Sequence, residues 1–527
     1  MENNNLNERE ILKLCLEKKI LLDSEIFKLL SQLDYEEAKK IINTISELNE
    51  KIITKTFVEK NVSKIENKIE DKKVIEKIKL TLGMQLEIHR EYEEKPNVEE
   101  KKESCIFNKN LKILYSLANI TRKIKPEDFT IHFRNRYLGL KKVLQERREL
   151  ENLISINRIN GKRQTLSIIG IVFDKRTTKN KNIILEIEDL TGKINVLINK
   201  DKKEVYNKAK NVLQDDVIAI KGFGDKEILF ANDIYYPDSM LTEINHLEKD
   251  ENAAFISDIH VGSSLFLEKN FLKFIDWING NLGDEKQKEE AKKIRYLFIV
   301  GDTVDGVGVY PGQEELLLIK DIKEQYRRLA EYLKKIRKDI TIILLPGQHD
   351  AVRIAEPQPF LGKNYAEPLY ELENLVLVSN PSLVEITDEK KRLKILLYHG
   401  ASMSSFVNEI EELRLSKAHD NPSKVVKELL KRRHLATLHS SVIYIPNEKY
   451  DPMMIREIPD IIVTADFHRS DSDFYNNIQI ICCSCWQSIT PFEEKVGNNP
   501  DFCRVPVLNL KTRKLKFLDF LEENEFE

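Results

Sequence analysis

Cysteine is scarce. Six residues in a chain of 527, with Cys15 and Cys105 far from the rest, exclude a disulfide framework and suit a reducing compartment. Long apolar runs are missing too: nothing reaches the roughly eighteen residues that a membrane-spanning helix needs. The opening MENNNLNERE lacks the basic-then-apolar order of a secretory signal, so the expectation is a cytoplasmic protein with no membrane partner. Charge of one sign is absent as well. With 84 basic and 87 acidic residues the net charge is −3, so no global basic field advertises a polyanion and any nucleic-acid contact must be local. No internal repeat of fixed period occurs, which sets solenoids aside.

What is present is material for several cores. Hydrophobic residues make up 41% and charged residues 32%, as in globular proteins, and this length predicts roughly two to four domains. Over residues 1–60, Ile11, Leu12, Leu14, Leu22, Ile26, Leu29, Leu30 and Leu33 recur at helical spacing, with Asp23, Ser24 and Asp34 as cap candidates, which predicts a small helical module. Residues 61–105 are dominated by Lys and Glu and read as exposed helix or linker. Residues 106–162 read as an amphipathic helical segment. There Phe129, Phe133, Tyr137, Leu140 and Leu144 share a face beside Arg134, Arg136, Arg147 and Arg148, a packing helix first and a nucleic-acid contact second.

The pattern then alternates. Residues 163–240 give short strands with turn signals at Asp189-Leu190-Thr191-Gly192 and Gly222-Phe223-Gly224, and one helix-like stretch, which predicts an OB-type barrel. Tyr235 and Tyr236 alone do not make a stacking platform, and packing is their first reading. Across 241–527, apolar runs such as AAFISDIH, YLFIVGD, ITIILLPG, LKILLYHG, PDIIVTADFH and IQIICCSCW alternate with helices. Strands apolar on both faces are covered on both faces, so this is an α/β or sandwiched domain with its functional side chains at the strand ends.

Those ends share one chemistry. Asp258 and His260, Asp302, His349, His399, and Asp466 with His468 each follow an apolar run. A single Asp-x-His is weak; its recurrence at several strand ends supplies the oxygen and imidazole donors that two divalent ions need. Cys482, Cys483 and Cys485 follow Ile478, Ile480 and Ile481 and read as buried strand thiols ahead of a zinc site.

The order Asp258-Ile259-His260, Gly301-Asp302-Thr303-Val304-Asp305, Gly347-Gln348-His349-Asp350, His399-Gly400 and Asp466-Phe467-His468 resembles the calcineurin-like metallophosphoesterases. The stretches FIVGDTVDGVGVYPGQE, KRRHLATL, WQSITPFE, IEDLTG and HFRNRYLGLKKVL are more specific. They resemble the small subunit of archaeal family D DNA polymerases from about Asp128 to Phe517. The resemblance implies a multidomain chain: a helical N-terminal module, an OB-fold barrel, and a phosphoesterase domain with a β-sandwich flanked by helices.

It further implies a metal-dependent 3′→5′ DNA exonuclease that proofreads during replication. One ion is held by Asp258, His260, Asp302 and His468, and a second by Asp302, His399, Gln348 and Asp466. Both are Mn²⁺ or Mg²⁺, and His349 acts with Asp302 in catalysis. Gln348 and Asp466 stand where the family has Asn and His. Gln displaces its amide oxygen by about 1.5 Å, and a carboxylate in place of an imidazole favours harder ions. The expected partners are the large polymerase subunit and a DNA primer-template or single-stranded 3′ end, with a sliding clamp as a further candidate. Arg432, Arg433 and His434 either contact DNA or dock against the domain. The competing reading is a catalytically impaired subunit that scaffolds the large one.

Overall fold

The computed structural model describes residues 2–18, 20–31, 35–46, 52–53, 110–117 and 123–521. The expected linker at 61–105 therefore lies outside the described residues, as does Asp34. Near the N-terminus the helices Glu2–Glu17, Ser24–Ser31 and Tyr35–Ser46 are joined by a two-strand pairing of Leu21–Leu22 with Ile52–Ile53. Asp23 caps the second helix, accepting from the Ile26 amide at 3.2 Å. No helix among the described residues is long and apolar enough to cross a membrane.

Five strands, Gln164–Thr177, Ile183–Asp189, Gly192–Ile198, Val217–Gly224 and Ile228–Tyr235, close into the expected barrel, in the order first, second, third, fifth, fourth. Alternation builds it: Ile183, Leu185 and Ile187 point inward from one strand, and Ile194, Val196 and Ile198 from the next. The turn between them is set by Asp189, whose Oδ1 accepts from the amides of Thr191 at 2.7 Å and Gly192 at 3.0 Å. Tyr236 is buried against Lys431 and Arg432, which fits packing.

The helix Pro126–Gln145 lays Tyr137, Leu140 and Leu144 on the barrel face formed by Ile169, Ile171, Val217 and Ala219. One reading of residues 106–162 needs correction. Leu111–Tyr115 is a strand, the edge of a sheet whose other strands lie hundreds of residues away. Arg136, on the helix Pro126–Gln145, is 3% exposed and meets Asp451 at 2.6 Å, a buried ion pair that fits packing rather than nucleic-acid contact.

From Asn252 onward two six-stranded sheets face each other. The first runs Leu375–Leu377, Thr341–Leu345, Ile294–Val300, Asn252–Ile256, Arg504–Asn509, Leu515–Asp519. The second runs Asp471–Tyr475, Ile478–Cys482, Ile461–Thr464, Arg392–Leu397, Ser382–Thr387, Leu111–Tyr115. Phe255, Phe298, Leu345, Ile395, Val463 and Ile481 fill the space between, with Phe255 and Phe298 stacked at 5.1 Å. Alternate residues of the same strands, such as Ala254, Leu297 and Ile342, pack under Glu268–Ile278 and Ile322–Leu333 on one outer side. Leu396, Ile462 and Ile480 pack under Met403–Glu409 and Ser423–Arg432 on the other. Being covered on both faces is why these strands read as unbroken apolar runs.

Candidate metal centre

The central strands of the first sheet, Asn252–Ile256, Ile294–Val300 and Thr341–Leu345, run parallel, as do Arg392–Leu397 and Ile461–Thr464 in the second. Their C-terminal ends therefore open on the same rim. There the chain places Asp258, His260, Asp302, Gln348, His349, His399, Asp466 and His468. Five of these have left-handed backbones: Asp258 (φ 47°), His260 (53°), Asp302 (47°), Asp466 (69°) and His468 (55°). Such conformations cost roughly 1–3 kcal/mol each in non-glycine residues and persist where a site needs side chains turned inward. Glycine gives the room: a Cβ at Gly347 would stand 2.2 Å from Asp302 Oδ1, and one at Gly301 2.3 Å from His399 Nδ1.

Donor atoms converge in three groups, Asp258 with His260 and His468, Asp258 with Asp302 and His399, and His260 with Asp305 and His349, each within 4.8 Å. His399 Nε2 lies 3.2 Å from Asp302 Oδ2 and 3.8 Å from Asp466 Oδ1, His468 Nε2 3.4 Å from Asp258 Oδ1, and His349 Nε2 4.0 Å from Asp302 Oδ2. These approaches are not hydrogen bonds in every case. Asp258 Oδ1, His260 Nε2 and His399 Nε2 are buried with no hydrogen-bond partner. Orphaned polar atoms at such depth call for a ligand the chain itself does not supply.

The far side of each imidazole is held. His399 Nδ1 donates to the Val300 carbonyl at 2.9 Å and His349 Nδ1 to the Asp305 carbonyl at 2.7 Å, which fixes the proton on Nδ1 and turns Nε2 to the centre. His260 Nδ1 meets Asp305 Oδ1 at 3.1 Å, and His468 Nδ1 meets Glu493 Oε1 at 2.8 Å. Asp350 is a strut: it accepts from the amides of Gly347 and Thr303 and from the Tyr326 hydroxyl.

The electrostatics agree. Burial alone would raise the Asp302 carboxyl, but His399 and His349 outweigh it and hold it well below the usual carboxylate range. Burial alone would lower His399, yet Asp302 outweighs it and raises it well above the ordinary value. Asp466 is pushed up by burial and then by Asp258 and Asp302. Carboxylates and imidazoles thus shift one another strongly across this buried cluster. Its donors, carboxylate oxygen and imidazole nitrogen, fit a divalent metal ion.

Gln348 and Asp466, the two departures from the family pattern, touch each other, with Gln348 Nε2 donating to Asp466 Oδ1 at 3.3 Å. Arg432, Arg433 and His434 are brought nowhere near this rim chemistry by their bonds, and all three are buried. Arg432 pairs with Asp216 at 2.9 Å and with Glu428, Arg433 donates to the carbonyls of Ile455 and Arg456, and His434 meets Asp451 at 2.8 Å. Of the two roles the sequence left open, these partners support docking. Cys482, Cys483, Cys485 and Cys503 are buried and in no disulfide.

Sequence reading missed Glu493 and assigned no role to Asp305 or Gln313. Thr490-x-x-Glu493 is legible as a capping box, and the box forms, but nothing local says that the same carboxylate also holds His468.

Two family models match: the DNA polymerase alpha/epsilon B-subunit family over residues 253–472, and an OB-fold nucleic acid binding domain over residues 166–226. The DNA polymerase II small subunit of Methanothermobacter thermautotrophicus is 38% identical over 388 residues, 74% of this chain and 78% of that protein. That of Pyrococcus furiosus is 39% identical over 404 residues, 76% of this chain and 64% of the relative. That of Archaeoglobus fulgidus is 36% identical over 408 residues, 77% and 80% of the two chains. The solved structure of a novel archaeal phosphodiesterase pairs with 51% of the chain at 12% identity and a TM-score of 0.26, too slight a likeness to bear on fold or function. With identity of this level running through the barrel and the sandwich alike, the chain belongs to the family of archaeal DNA polymerase II (family D) small subunits.

Proposed function

We propose that this subunit hydrolyses phosphodiester bonds at the 3′ end of DNA, in complex with a large polymerase subunit, and so removes misincorporated nucleotides. The observation that carries this reading is the trio of buried, unpartnered atoms, Asp258 Oδ1, His260 Nε2 and His399 Nε2, gathered around the Asp302 carboxylate. In a pure scaffold each would cost about 1–3 kcal/mol with nothing to offset it. That weighs against the impaired-subunit reading.

Asp258, His260, Asp302 and His468 would hold one divalent ion, and Asp302, His399, Gln348 and Asp466 a second. When bound, the pair supplies Lewis acidity and neutralises phosphate charge. The chain's own residues do the rest. Asp302 accepts from the His349 amide at 2.8 Å and so fixes the loop that carries that imidazole. His349 keeps its Nδ1 proton on the Asp305 carbonyl and turns Nε2 away from it; with a second proton on Nε2, the imidazolium can bond a phosphate oxygen or pass that proton to the departing 3′ oxygen. Asp305, held by Gln313 and Gln487, keeps His260 from turning away. The Arg136, Arg432 and His434 clusters lock helix, barrel and sandwich together, which suits a subunit that docks as one body.

The test is digestion of a 5′-labelled primer with a mismatched 3′ end by the two-subunit complex, alongside isothermal titration with Mn²⁺. The parent should shorten the primer stepwise from its 3′ end. Asp302→Ala should abolish this and reduce Mn²⁺ binding while still assembling with the large subunit. Undiminished hydrolysis by Asp302→Ala would remove the assignment.

A further inference from the structure

The ligands proposed for the second ion come from two sheets. Gln348 follows the strand Thr341–Leu345 of the first, and His399 follows Arg392–Leu397 of the second. Apolar packing holds the sheets together, but it is non-directional, and an ion needs its ligands held to about half an ångström. Directional bonds must set that span. The chain crosses from the first sheet to the second between Leu375–Leu377 and Ser382–Thr387, and Asn380 stands at the crossing, fully buried.

Asn380 reaches both ways with its side chain. Its Oδ1 accepts from the His399 amide at 2.9 Å, and its Nδ2 donates to Gln358 Oε1 at 2.8 Å. Gln358, also fully buried, passes the link on: its Nε2 donates at 3.2 Å to the carbonyl of Gly347, the residue before Gln348. The backbones of Gln358 and Asn380 exchange two further bonds, at 2.7 and 2.9 Å, so neither side chain swings as a free arm. Glu356 braces the line. Its Oε1 lies 3.5 Å from Asn380 Nδ2, and its Oε2 accepts at 3.1 Å from the hydroxyl of Tyr398, the residue before His399. The two ends dictate the polarity: an N–H at His399 needs an acceptor and a C=O at Gly347 needs a donor, which two amides in series supply. A carboxylate at Gln358 would leave the Gly347 carbonyl unmet.

We infer that Asn380 and Gln358 are positioning residues for the second ion: their bonded amides set the span between Gln348 and His399 and so decide whether that ion is held. This rests on the two-ion reading above and adds to it the residues that keep one of the two sites in register. The other two ligands of that site follow the same span. Gln348 bonds Asp466, and a Cβ at Gly400 would stand 3.2 Å from the Asp466 Cβ, so the turn at His399 abuts Asp466 as well. The first site stands apart. The bonds described for Asn380, Gln358 and Glu356 reach neither Asp258, nor His260, nor His468. Loss of the line therefore weakens one ion and spares the other.

The experiment titrates the full-length chain, stripped of metal, with Mn²⁺ and follows binding by calorimetry and by electron paramagnetic resonance. Two Mn²⁺ ions bridged by a carboxylate couple magnetically, and the pair loses the signal of an isolated ion. The parent should take up two ions and end as a coupled pair. Asn380→Leu, which keeps a branched side chain without the bonds, and Gln358→Met, which breaks the line at its other end, should each weaken the second ion by about 10- to 100-fold. At Mn²⁺ that just fills the parent, both should show one isolated ion, bound as tightly as the parent's first. Ser379→Ala is the control. Its hydroxyl, buried at the same crossing, bonds the Leu117 amide and the Pro381 carbonyl, both at 2.8 Å, and reaches neither ligand loop. That variant should melt at a lower temperature and keep the coupled pair. Fewer than two ions bound by the parent would remove the two-ion reading on which the inference stands. A coupled pair of undiminished affinity in Asn380→Leu or Gln358→Met would leave that reading in place and overturn the inference. So would equal weakening of both ions, loss of the second ion in Ser379→Ala, or failure of both line variants to fold, each of which would make the line a part of the fold alone.

Discussion

Two buried clusters in this chain are built from carboxylates and imidazoles, and they differ in whether the carboxylates meet a permanent cation within the protein. Around Asp451 the balance closes at the carboxylate, although His132 Nδ1 beside it is buried without a hydrogen-bond partner. Its Oδ2 takes Arg136 at 2.6 Å, His434 at 2.8 Å and His132 at 3.2 Å, and its Oδ1 takes the Met453 amide at 2.9 Å. Around Asp302 it does not. Asp258, Asp302 and Asp466 converge with no guanidinium or ammonium described among them, and three candidate donor atoms stay unpartnered. A buried aspartate answered by an arginine is a clasp, here between the helix Pro126–Gln145 and the sandwich; one left short of a cation marks a place for an ion.

The comparison breaks most decisively if one substitution is made in each cluster. Asp258→Asn should lower hydrolysis by more than the roughly 10- to 100-fold seen when an outer partner of a metal ligand is lost. It should leave the melting temperature of the metal-free protein unchanged or higher, because it removes one of several crowded carboxylates. Asp451→Asn should do the reverse. Stripping a fully buried arginine of its counter-charge should destabilise the fold by about 3–5 kcal/mol in urea unfolding, with Mn²⁺ affinity unaltered in the folded fraction.

A smaller effect separates the clusters by pH. Burial and then the Arg136 charge lower His434 to about 4, so the imidazole is neutral in the folded chain, whereas the unfolded chain protonates it near the ordinary value of about 6.5. Its contribution to stability is complete above about pH 6.5 and is lost as pH falls towards 4. Unfolding free energies measured across that window should fall more steeply for the parent than for His434→Asn. Equal slopes would show that this histidine is not buried as a neutral donor.

The smallest effect concerns the touching pair. Gln348→Asn with Asp466→His should raise the hydrolytic rate at limiting Mn²⁺ several-fold, and the single changes should not add, because the two side chains share a bond and an ion. Additive single effects in a double-mutant cycle would mean that Gln348 and Asp466 act independently.

Much of this was legible because it is local. Alternation along Ile183–Asp189 and Gly192–Ile198, with the aspartate-threonine-glycine turn between, gave the barrel. Apolar runs that stop at Asp or His gave the sandwich core and brought out the side chains that converge at its rim, since strands buried on both faces leave polar chemistry only at their ends. The strand Leu111–Tyr115 was not legible, because its partner in the sheet, Ser382–Thr387, lies far along the chain. The roles of Arg136 and Arg432 stayed open because nothing nearby shows that Asp451 and Asp216 will meet them. The tie from Glu493 to His468 escaped for the same reason. Pairings across the chain are what the residue pattern hides, and they are what divides the clasp from the metal centre.

The claim that the unpartnered atoms are ligands is tested most directly by anomalous scattering from crystals of the protein soaked in Mn²⁺. Two peaks are expected on either side of the Asp302 carboxylate, one contacting Asp258 Oδ1, His260 Nε2 and His468 Nε2 and the other His399 Nε2, with no peak at Asp451. An absence of peaks beside Asp302 at saturating Mn²⁺ would contradict the account.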